Sequence, residues 1–152
     1  STPFIQIVFM TLSAIGYGSV IGFIVMDMDE NDGMTGLKLA TITTAAMFVI
    51  VMVTGINFAN PIFALIVAAL ILILISVEFF SMFRNISRGY TRKKAIAGIV
   101  TFSMSLLVSI SSVNVSADQD LNDWDIAISH AFDMYLAIIN IILYFLELMG
   151  SS

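Results

Sequence analysis

Five apolar runs of about twenty residues each constrain this chain more than any other feature. They cover approximately 3–26, 36–55, 61–83, 94–115 and 126–149, and each is long enough to cross the hydrocarbon core of a bilayer as a helix. The breaks between them are chemically sharp: DMDENDG, INFANP, RNISRGYTRKK and SADQDLNDWD. A transmembrane barrel requires alternating segments of about ten residues, whereas these runs are continuous. The expected fold is therefore all-α, a polytopic transmembrane helix bundle of about five spans forming a single domain over residues 1–152.

Composition explains why water is not the solvent for most of this surface. The chain is 59% hydrophobic and 11% charged, and its mean hydropathy is +1.02. A soluble domain of 152 residues must present much of itself to water, which this composition does not permit. The lipid bilayer is the first partner implied. There is no cysteine and one histidine, so thiolate metal sites are excluded and no metal or other cofactor is expected. The N-terminal run lacks a basic flank and an obvious cleavage site, so it reads as a span rather than a signal peptide. Pro61 suits the first turn of the third helix, with Asn60 as its N-cap.

The last run, His130 to Gly150, carries a regular polar or small stripe. His130, Asp133, Ala137, Asn140, Tyr144 and Glu147 fall within an arc of about 100° on a helix. The fourth run has a matching stripe of Gly98, Thr101, Ser105, Ser109, Ser112 and Ser116, within about 80°. Hydrocarbon disfavours both, so the two stripes are expected to face each other. Such a seam either glues two helices together or lines an ion pathway, for which the candidates are Asp133, His130, Asn140, Ser109 and Ser112.

Other polar groups have simpler readings. Glu78, near the end of the third run, is expected to snorkel or to pair with Arg84, and Glu147 is expected to be interfacial. Asp27 to Gly33 starts like a calcium loop, but the glycine falls one place late and Lys38 occupies the twelfth position, so it reads as a solvated acidic turn. Gly18 and Gly22, beside Gly16, form a small-xxx-small pattern expected to mark helix contact within the bundle. No nucleophile and base arrangement, phosphate loop or nucleic-acid motif is present, and an enzyme is not expected. Arg84, Arg88, Arg92, Lys93 and Lys94 cluster in one connection, which the positive-inside rule assigns to the cytoplasm. Which membrane holds the chain, a bacterial inner membrane or an organelle membrane, is open.

Ala131-Phe132-Asp133-Met134-Tyr135-Leu136-Ala137-Ile138-Ile139-Asn140, followed by Ile, Leu and a terminal Leu-Met-Gly, resembles the last helix of the transmembrane Bax-inhibitor-motif family. Gly16-Tyr17-Gly18, Thr43 to Phe48 and Ser111 to Val115 add weaker likeness in the same order. The resemblance covers the last five of that family's seven helices and implies a proton-gated calcium leak. It would place the family's pH-sensing carboxylates at Ser111 or its neighbour and at Ala137, and neither position is acidic here. Bacterial relatives lacking one of that pair are associated with a membrane-bound AAA protease, which the resemblance adds as a partner class. It also implies that RNISRGYTRKK lies outside, opposite to the side its charge indicates. The alternative from the residues themselves is a non-catalytic structural subunit of a larger membrane complex, with other membrane-protein subunits as partners.

Overall fold

A computed structural model of the chain describes residues 2–81, 83–84, 87–118 and 123–150. Parts of two expected connections, 85–86 and 119–122, lie outside the described residues. Five helices follow in order: α1 (Thr2–Met26), α2 (Glu30–Thr54), α3 (Pro61–Ser81), α4 (Arg88–Asp118) and α5 (Trp124–Gly150). All five are long and apolar enough to span a membrane. The chain is an all-α integral membrane protein.

The helix ends differ from hydropathy alone in an instructive way. α2 begins at Glu30 and α4 runs from Arg88 to Asp118, so both extend past the apolar runs into polar sequence. Hydropathy locates the part of a helix in hydrocarbon, but the backbone ladder continues for as long as its residues tolerate helix. The acidic turn expected over Asp27 to Gly33 is accordingly shorter, because Glu30 and Asp32 occupy the first turn of α2, where carboxylates complement the helix dipole. α2 stops at Gly55, whose φ of 66° is left-handed and whose N–H returns to the Val51 carbonyl at 3.1 Å. The Asn60 cap is present, with its Oδ1 accepting from the Phe63 N–H at 2.8 Å. The irregular connection before it is tied to α4, since the Phe58 N–H donates to Ser111 Oγ at 3.1 Å.

The core lies among α2, α4 and α5. Ala40 and Val51 meet Leu106 and Ile110 of α4 and Ala137, Ile141 and Phe145 of α5. α1 packs chiefly against α5, and α3 chiefly against α4. Small residues set the close approaches: Gly36 of α2 lies against Leu146 and Met149, and Gly98 of α4 lies under the Tyr144 ring. The outer faces of the peripheral helices carry Phe9 at 63% exposure and Leu72 at 65%, as lipid contact requires. Nothing lies within 4 Å of a Cβ built at Gly16, Gly18 or Gly22. The small-xxx-small pattern therefore does not mark a contact within this bundle, because α1 turns its Tyr17 face to α5 and meets Tyr135 edge-on.

Candidate functional site: the two ends of the α4–α5 interface

α4 and α5 form the most extensive helix pair in the molecule, and their stripes meet at both ends. At one end Ser116 Oγ and His130 Nε2 lie 3.0 Å apart. At the other, a Cβ added to Gly98 would fall 2.5 Å from Tyr144 Cδ2. All four residues belong to the stripes read from the sequence. Between these ends the interface is closed: Leu106 and Ile141 are fully buried, with Ile110 and Ala137 packed beside them, and Thr101, Ser103 and Ser109 are buried along the same stretch of α4.

The end bearing Gly98 carries an ionic cluster assembled from three helices. Lys94 enters one turn before Gly98 on α4, and its side chain is 7% exposed. Its Nζ lies 2.7 Å from Glu147 Oε1 on α5 and 3.2 Å from Glu78 Oε1 on α3. Tyr144 donates its hydroxyl to the same Glu78 oxygen at 3.0 Å. Glu78 and Glu147 are partly exposed, so the cluster sits where a buried ammonium is shared by two carboxylates near the helix ends. In low dielectric each charge is costly alone, and one cation between two anions relieves both. The stack of Tyr144 on Phe102, with centroids 6.0 Å apart, fixes the ring that carries the hydroxyl.

This cluster corrects two sequence expectations. Glu78 pairs with Lys94, not with Arg84, whose guanidinium lies 5.1 Å over the Phe80 ring. Glu147 is not merely interfacial, because it holds the shortest contact to Lys94. Position explains the first miss. Lys94 lies in the second turn of α4, where an antiparallel neighbour returns it to the level of Glu78, and no spacing in a linear sequence reveals that return. The signal available was that Lys94, Tyr144 and Glu147 all fall on helix faces directed at a neighbour.

Among the described residues, no hydrogen bond joins the proposed pathway residues to one another. Ser109 is buried, and Ser112 Oγ bonds back to the Val108 carbonyl at 2.9 Å. Asn140 Nδ2 likewise bonds back to the Leu136 carbonyl at 2.7 Å. His130 is engaged with Ser116. Asp133 is exposed on the surface of the chain, and among the described residues no hydrogen bond or salt bridge reaches its carboxylate.

Its depth makes that exposure important. The midpoint of α5 is Ala137, so Asp133 lies four residues, or about 6 Å, from the middle of the span. The hydrocarbon half-thickness is about 15 Å. Glu147 and the Lys94 cluster lie ten residues to the other side, at about 15 Å, where an interface is expected. With α5 centred in the bilayer on Ala137, the carboxylate of Asp133 falls inside the nonpolar layer. On α5 it is turned about 40° from Ala137, away from the side on which Ile141 and Phe145 join the core. Comparison with protein-family models, with curated proteins and with solved structures finds no match to this chain.

Proposed function

We propose that the chain is a non-catalytic subunit of a larger membrane assembly, and that the surface of α5 around Asp133 is where another subunit packs. The observation that carries this reading is a carboxylate exposed about 6 Å from the middle of a span. On insertion scales such a group facing lipid costs about 2.5–3.5 kcal/mol at the helix centre. The charges at the other end of α5 are paired internally, as Glu78, Lys94 and Glu147 show. Cover supplied by a second protein removes the remaining cost. The basic connection after α3 orients the Lys94 end towards the cytoplasm, and labelling of Ser87→Cys by a membrane-impermeant reagent from outside intact cells would reverse that orientation.

A photo-crosslinking residue at Leu136, one turn from Asp133, tests the proposal in the producing membrane. A discrete protein adduct is expected there, with lipid adducts alone from Leu72, which is 65% exposed on α3. Lipid adducts alone at both positions would remove the subunit reading.

A second reading, a calcium or proton leak of the Bax-inhibitor type or regulation of a membrane protease, draws on the resemblance of the last helix. It is also favoured by the polar groups at the two ends of the α4–α5 interface. Leu106, Ile110, Ala137 and Ile141 separate those ends, so conduction requires the two helices to part. Ion flux through reconstituted protein that disappears in Asp133→Asn would favour the leak over the subunit.

A further inference from the structure

Resting on the subunit reading, we propose the chemistry of the partner: a transmembrane helix of another protein that carries a lysine or arginine level with Asp133. The exposed carboxylate, half-buried Leu136 and half-buried Asn140 follow one another along one face of α5. An occupant at this depth must satisfy its own backbone, which in hydrocarbon means a helix. It must also meet a carboxylate that His130, one turn away, approaches only electrostatically, since among the described residues no hydrogen bond or salt bridge joins the two and Nε2 of that ring lies against Ser116. A cation matched to the carboxylate does this with a charge-assisted hydrogen bond.

A second copy of this chain inserted the same way brings no lysine or arginine level with Asp133. Lys94 is held between Glu78 and Glu147. Lys38 is exposed on α2, but Gly36 sits beside Leu146, and antiparallel counting brings Lys38 level with Tyr144. That is eleven residues from Asp133, or about 16 Å along the membrane normal, beyond the reach of a lysine side chain in a copy inserted the same way. Arg92 and Lys93 lie farther still towards that end of α4. Two copies meeting face to face would instead oppose Asp133 to Asp133.

The test uses the full chain in phosphatidylcholine bicelles with two synthetic transmembrane peptides of leucine and alanine. One has a single central lysine and the other has leucine there. Association is read by energy transfer. The lysine peptide is expected to bind about tenfold more tightly than the leucine peptide. Asp133→Asn should abolish that preference, while Asp27→Asn in the α1–α2 connection preserves it. Equal binding of the two peptides, or a preference that survives Asp133→Asn, overturns the proposal. Self-association of the wild-type chain that is lost in Asp133→Asn overturns it in favour of a second copy. Equal peptide binding alongside a protein adduct at Leu136 would reject the basic partner while leaving the subunit reading intact; no adduct at Leu136 would reject the subunit reading itself.

Discussion

The two halves of α5 treat charge in opposite ways. In the half that ends at Gly150, Glu147 and Tyr144 join Glu78 and Lys94 in a cluster drawn from three helices. In the half that begins at Trp124, His130 has a partner in Ser116, but Asp133 is exposed and meets none of the described residues by hydrogen bond or salt bridge. The same helix therefore completes its electrostatics within the chain at one end and leaves it incomplete near the middle of the span. The subunit reading proposed above rests on that contrast.

The largest effect that could break this contrast is loss of the cation in the completed half. Lys94→Met leaves Glu78 and Glu147 facing each other without it, and should lower stability in bicelles by about 3 kcal/mol, discounted from a fully buried pair because both carboxylates are partly exposed. Reversible unfolding in detergent mixtures measures this. Adding Glu147→Gln should recover part of the loss, and a double-mutant cycle with no coupling would show that the three charges do not act as a unit.

A smaller effect is expected where the two stripes touch. Gly98→Ala drives a methyl group into the Tyr144 ring, so the helices must part or the ring must turn, at about 2 kcal/mol. Because Tyr144 also holds Glu78, this variant should weaken the ionic cluster, and its effect should not add to that of Lys94→Met. The same unfolding measurement, made on both single variants and on the pair, checks the coupling.

The smallest effect belongs to the end bearing Ser116. Ser116→Ala removes the hydroxyl shared with His130, and polar contacts between membrane helices average about 0.6 kcal/mol. A loss as large as that of Lys94→Met would mean that the half of α5 beginning at Trp124 is as tightly built as the half ending at Gly150, and the comparison would fail.

Much of this was readable in the residues. Five spans follow from apolar run length, and the pairing of α4 with α5 follows from two polar stripes that hydrocarbon rejects. Asn60 and Pro61 marked the start of α3 because capping is a local property. Hydropathy missed the polar ends of α2 and α4, since Glu30 to Thr35 and Arg88 to Lys93 are helical without being apolar. The Lys94 cluster was missed for a different reason: its members are 16 and 66 residues apart in sequence along its hydrogen bonds, and only the antiparallel return of α4 brings them level. Asp133 was singled out by its place in the last apolar run, but its side of the helix depends on how α5 is rotated between α1, α2 and α4. A 100° arc is too wide to fix that rotation: Glu147, Asn140, Asp133 and Tyr144 fall within about 60° of one another, yet Glu147 and Tyr144 join the Lys94 cluster while Asp133 is exposed.

Replacement of Asp133 by leucine tests the central claim most directly, with two readings taken on one variant. Stability of the purified chain in bicelles should rise or stay unchanged, because the substitution removes a charge from hydrocarbon and disturbs no internal hydrogen bond. In the producing membrane, extracted gently and sized in the native state, the same variant should migrate as the isolated chain while the wild type migrates as a larger complex. An Asp133→Leu chain that unfolds, or one that remains in a complex of wild-type size, would contradict the assignment of this face to another subunit.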